Sequence, residues 1–260
     1  MPMQPVLYEK SGRIGTLTLN QPETRNALSL DVIHNMQQKF SDIAQDRDIA
    51  VLVIKGNGPA FCAGHNLKEF TDPSCDIHHF RRLFGDCSDM MQALHRLPQP
   101  VIAQVHGIAT AAGCQLVAAC DLAIAESGAR FSTPGVHIGL FCSTPMVPLS
   151  RVIGRRRALE MLLSGRFVSA DEAREFGLVN KVVGPDELDD ATERWAAELA
   201  QYSPFTLGFG KRAFYSQIDT DEPAAYAYAQ EAIAVNCLAE DAQEGIRAFL
   251  EKRKPQWKGR

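Results

Sequence analysis

A chain of 260 residues and 28.6 kDa suits one large domain, or a core with a smaller appendage. With 45% hydrophobic and 22% charged residues it can bury a sizeable core, and a formal charge of −4 excludes a general attraction to nucleic acid or an acidic membrane, leaving at most a local basic spot for one polyanionic ligand. No apolar run nears the roughly 18 residues of a membrane span, and the start, MPMQPVLYEK, has neither an apolar signal core nor an Arg-rich leader, so a cytoplasmic protein is expected.

Residues 5–10 (PVLYEK) and 13–20 (RIGTLTLN) alternate around Ser11-Gly12 and predict a β-hairpin. Val32, Ile33, Met36, Phe40 and Ile43 then recur at helical spacing, with Ser29 or Asp31 as the cap. IAVLVIKG (49–56) reads as a buried strand, and the loop GNGPAFCAGHNLKEF follows. A polar helix is expected from Ile77 to Leu97, ended by Pro98 and Pro100, and VIAQVHG (101–107) as another buried strand. The segment from Ala109 reads as a turn and a short helix, DLAIA (121–125) as a strand, and ARFSTPG (129–135) as a short strand plus turn. Helices near Arg155–Leu163 and Ala170–Phe176 precede a strand at NKVVGP (180–185), after which the chain looks entirely helical.

The seven cysteines form no CxxC pair and read as reduced, mostly buried small hydrophobes. Asp76, His78 and His79 cluster, but their spacing gives no metal motif and no metal is expected.

Two stretches invite a chemical reading. In PAFCAGHNLKEF (59–70), small residues at a bend let a ligand approach backbone N–H groups, and Lys68 could meet a phosphate. An ordinary glycine-containing loop with a surface lysine explains the same residues. In VHGIATAAGCQ a strand runs through Gly107 into a helix starting near Ala111-Ala112-Gly113, whose first N–H groups favour a negative oxygen. Close helix–sheet packing also calls for such small side chains.

Together these stretches resemble the enoyl-CoA hydratase/isomerase (crotonase) superfamily. PAFCAGHNLKEF is similar to its F-x-A-G-x-D-L-K-E signature, and the second stretch to G-x-A-x-G-G-G-x-E-L-x-x-x-C-D. The resemblance continues through NQPETRNALS, FSTPGVHIGL, LSGRFVSADEAREFGLVNKVV and AFLEKRKPQW, in order along nearly the whole chain. It implies an α/β fold, a spiral of ββα turns over residues 1–200, with a helical region over 201–260 that packs on other subunits of a trimer or paired trimers. It also implies a thioester enolate stabilised by the backbone N–H groups of His65 and Ala112, with coenzyme A arriving as part of the substrate and no separate cofactor. Arg25, Ala63, Asn66, Leu67, Lys68 and Gly113 would line the CoA path, and Phe249 and Lys252 would complete a neighbour's site.

The resemblance breaks where the family's hydratases carry two glutamates. The first position is Gln115, which hydrogen-bonds but takes no proton near neutral pH; the second is Gly135, in Thr133-Pro134-Gly135. His65 and His137 are candidates to replace them, His137 if its segment is extended so that it faces the same side as Gly135. Asp121 reads as structural, and Cys142 and Ser143 offer no acid where some relatives place one. The expected function is therefore an acyl-CoA enzyme working through oxyanion stabilisation, with weak 2-enoyl hydration. A non-catalytic acyl-CoA-binding scaffold or sensor is the rival. A dinucleotide enzyme lacks support, since no GxGxxG follows the first strand.

Overall fold

The computed structural model describes residues 4–260. The alternating segments at the start form an antiparallel hairpin, β1 (Val6–Ser11) and β2 (Ile14–Leu19). Helix α1 (Leu30–Gln45) is capped by Ser29, whose hydroxyl accepts the Val32 N–H at 3.3 Å, and it buries the five apolar residues at helical spacing. Strand β3 (Val51–Gly56) pairs parallel to β2. Helix α2 (Ile77–Arg96) starts at Asp76, whose carboxylate accepts the N–H groups of His78 and His79 at 2.9 Å each. The Asp-His-His cluster is thus a helix start.

After α2 the chain repeats one pattern. Strand β4 (Val101–Val105) joins the first sheet, β5 (Ile108–Thr110) joins a second, and α3 (Ala112–Ala119) follows. Strands β6 (Leu122–Glu126) and β7 (Arg130–Ser132) divide between the two sheets in the same way, ahead of α4 (Met146–Val152) and α5 (Gly154–Ser164). Next come β8 (Val168–Ser169), α6 (Ala170–Phe176) and β9 (Lys181–Val183). The first sheet runs β1-β2-β3-β4-β6-β9, parallel except for the hairpin, and the second runs β5-β7-β8. This is the α/β spiral of ββα turns. The larger core lies between the helices and the sheets, and a second lies under α7 (Leu188–Leu199), where Leu188 and Ala196 cover Val51, Val53, Ile102 and Ile124.

The chain ends in α8 (Pro204–Gln217), α9 (Glu222–Cys237) and α10 (Glu240–Leu250). Helix α8 is tied to the core by Lys211, whose ammonium lies 2.6 Å from Asp121 and donates to the carbonyls of Leu94 and Gln99 at 2.7 and 2.9 Å. Tyr215 donates to the other Asp121 oxygen at 2.8 Å, and the Val101 N–H donates to Asp121 at 2.7 Å. Asp121 is structural, as expected.

Candidate acyl-thioester site

The loop after β3 is shaped by backbone pairing on both of its sides. Phe61 and Cys62 donate to the carbonyls of His106 and Ile108, and the Thr110 N–H donates back to Cys62 at 3.0 Å. Two residues on, Leu28 donates to the Gly64 carbonyl at 2.7 Å and accepts from the Asn66 N–H at 3.2 Å. This parallel bridge uses the groups flanking His65 and turns the His65 N–H away from Leu28. Sequence reasoning missed Asn26, which braces the loop. It is buried at a positive φ of 56°, and its amide donates to the carbonyls of Asn57 and Ala60 at 2.9 and 2.8 Å. Its only sequence signal is its place in NQPETRNALS.

Helix α3 starts against this loop. A Cβ on Gly64 would lie 3.2 Å from the Ala112 nitrogen and 2.8 Å from the Thr110 carbonyl oxygen, and one on Gly113 would lie 2.1 Å from the Cys62 carbonyl oxygen. Only glycine permits that approach. Ala111, at φ 51° and ψ −118°, makes the sharp entry into the helix; its N–H donates to Ser132 at 2.9 Å, and its carbonyl accepts the Gln115 N–H at 3.0 Å. Among the described residues neither the His65 nor the Ala112 N–H has a hydrogen-bond acceptor. Two unpaired N–H groups on adjoining loops, one at a helix N-terminus, can receive a single developing negative oxygen.

Gln115 follows one turn along α3, 3% exposed, with its Oε1 buried and unpartnered. Thr133, next to the Ser132 that accepts from Ala111, is fully buried with an unpartnered hydroxyl. Gly135 is buried, and the space its side chain would enter is filled: a Cβ there would lie 2.8 Å from the Leu140 carbonyl oxygen and 2.9 Å from Cys142 Sγ.

The imidazole of His65 packs edge-on against Phe84, with centroids 5.4 Å apart, and near Phe70 at 6.1 Å. Both ring nitrogens are buried and unpartnered, and burial pushes the ring's pKa below its ordinary value, so it is neutral at pH 7. His137 does not share the side of Gly135. Residues Pro134–Ile138 form a 3-10 turn instead of an extended segment, and the His137 ring meets the Ser164 carbonyl at 2.9 Å on the surface. Ser143 bonds to the Phe141 carbonyl at 3.2 Å. Burial pushes the thiols of Cys62 and Cys114 up to about 12 and raises that of Cys142, so none of the three is a ready nucleophile.

Ala63 is fixed by its N–H bond to the Arg25 carbonyl at 2.9 Å, while the Arg25 side chain is exposed. The Asn66 side chain is engaged in capping a 3-10 turn, Leu67–Phe70, by accepting the Lys68 N–H at 3.2 Å. Leu67 and Lys68 are exposed beside it. Phe249 and Lys252 stand exposed at the end of α10, which packs on α8 and α9, so the fold of one chain leaves them facing outward.

The fold matches known proteins over nearly the full length. A profile of the enoyl-CoA hydratase/isomerase family matches residues 9–260. A solved enoyl-CoA hydratase from Mycobacterium smegmatis superposes with a TM-score of 0.94 at 48% identity, covering 97% of this chain and 98% of that one. The human mitochondrial enoyl-CoA hydratase domain-containing protein 3 is 45% identical over 244 residues, 94% of this chain and 81% of its own. The short-chain-enoyl-CoA hydratase of Clostridium acetobutylicum is 32% identical over 258 residues, 98% of this chain and 97% of its own. The chain belongs to the enoyl-CoA hydratase/isomerase family. The expected cytoplasmic location does not survive: five vertebrate relatives at 43–45% identity all carry mitochondrial in their names. That expectation rested on the first ten residues and on the lack of a long apolar run, neither of which reports the compartment.

Proposed function

We propose that the protein binds an acyl-CoA thioester and polarises its carbonyl with the N–H groups of His65 and Ala112. The observation that carries this reading is the seating of Gly64 against the Ala112 nitrogen, which brings two unpaired donors onto adjoining loops. One such donor supplies about 2.7–4 kcal/mol of transition-state stabilisation. Lys68 and Arg25 would meet CoA phosphates, with Phe249 and Lys252 supplied by a neighbouring copy. The exposed apolar residues of α9 and α10 support assembly as a trimer or paired trimers. The relatives' names make a mitochondrial setting the one to test.

Hydration of a 2-enoyl-CoA would be slow. A positioned acid or base is worth about 10²–10⁴ in rate, and here Gln115 is neutral while Gly135 has no side chain. The filled space at Gly135 favours a second reading, a site kept for binding without turnover. The test is to follow crotonyl-CoA absorbance with purified protein while calorimetry measures thioester binding. Clear binding with hydration at least about 10²-fold below a two-glutamate relative is expected. Fast hydration would overturn the account of Gln115 and Gly135, and absence of thioester binding would overturn the site itself.

A further inference from the structure

A groove of about 1350 Å³ opens at the end of the first sheet opposite the thioester loops, where β2, β3 and β4 begin. Its walls are basic in a chain of net charge −4. The only acidic side chains lining it, among the described residues, are Asp46 and Asp48, and both are engaged by Lys10 at 2.9 and 3.3 Å. Lys258 and Arg260 share Glu240 at 3.3 and 3.0 Å. Four guanidiniums remain. Arg13 donates only to the Ala200 carbonyl at 2.7 Å, and Arg96 only to that of Asp89 at 3.3 Å. Arg212 lies 5.8 Å from the centre of the Phe209 ring. Arg47 makes no side-chain hydrogen bond or ion pair among the described residues.

These four arginines come from four separate elements: the hairpin turn, the link from α1 to β3, the end of α2, and α8. They are not one charged helix face. Gathering like charges around one hollow is unfavourable unless an anion lies between them. The planar guanidinium fork matches phosphate oxygens better than any other cation in proteins. Phe205, Phe209 and Trp257 line the same groove and add aromatic faces. We propose that this groove binds a phosphate-bearing small molecule, a nucleotide or a short polyphosphate, at a site separate from the thioester loops. The proposal does not depend on the acyl-CoA reading.

Calorimetric titration of the full chain with inorganic tripolyphosphate tests it. The expected result is saturable binding, one per chain, weakened by salt. Arg47→Gln and Arg212→Gln are exposed changes that should leave the melting temperature in place and weaken binding about tenfold each. Lys68→Ala, at the thioester loops, should leave tripolyphosphate binding unchanged. ATP binding tighter than tripolyphosphate would assign a nucleotide whose base stacks on the aromatic wall; equal binding would assign the phosphate chain alone. Lack of saturable binding by the native protein would overturn the proposal. So would binding lost in Lys68→Ala but retained in the two arginine variants.

Discussion

In the proposed site Gln115 and Gly135 stand at the positions the resemblance assigns to two glutamates, and they differ in what restoration would require. The Gln115 side chain already occupies its site, buried with a free Oε1, so Gln115→Glu changes chemistry with little change of shape. It should raise crotonyl-CoA hydration by about 10²-fold, read from the loss of enoyl absorbance. Gly135→Glu should not, because Leu140 and Cys142 fill the space; that variant should melt at a lower temperature and hydrate no faster. Equal gains from both would show that the 140–142 segment yields easily. His65 carries a different prediction. Its folded pKa lies below 6.5, so as pH falls through about 6.5 the unfolded chain takes up a proton that the folded chain refuses. Stability is therefore lost below that pH, with His95, also depressed by burial, adding to the loss. His65→Phe keeps the backbone donor and should show a shallower fall of melting temperature between pH 6.5 and 5. An unchanged slope would place the titration elsewhere.

Helix α8 is held by a charge that burial opposes: the Lys211 pKa is lowered by desolvation against the pull of Asp121. Lys211→Met would leave the Asp121 carboxylate without its cation, at a cost of about 3 kcal/mol in denaturant unfolding. Adding Asp121→Asn should recover part of that loss, and no recovery would mean the pair does not act as a unit. Nothing in KRAFYSQ shows Asp121 as the partner of Lys211, because the pairing spans 90 positions. Elements with strong local signals were legible: α1 and its Ser29 cap, the hairpin, and the buried runs of β3 and β4. In the second sheet β7 was read within ARFSTPG, but β5, with three residues, and β8, with two, were too short to show alternation. Helix α4 sits inside CSTPMVPLSRV, a stretch given no element from the sequence, where two prolines mask a helix signal. The resemblance pointed to His65 and Ala112, and among the described residues their N–H groups have no acceptor. The orientation of His137 was not, because it depends on a 3-10 turn.

At the scale of the whole molecule, the C-terminal helices look unfinished. Helix α9 buries none of its 16 residues, and Leu238 is 82% exposed alongside Tyr226, Ile233 and Val235. Apolar surface of that extent marks an interaction face. Sedimentation at micromolar concentration should give a mass well above 28.6 kDa, and Leu238→Asp with Ile233→Asp should lower it. A single-chain mass for the native protein would count against assembly and leave Phe249 and Lys252 without a site to complete.

The two donors proposed for the thioester oxygen, the N–H groups of His65 and Ala112, belong to the main chain, and strand pairing and a helix start set their directions. Most side-chain exchanges at these two positions would leave both donors in place. Proline is the exception, because it alone lacks the N–H. Random mutation would therefore find this part of the site hard to silence at its own positions and easy to silence at Gly64 and Gly113, where a single added carbon pushes the two loops apart.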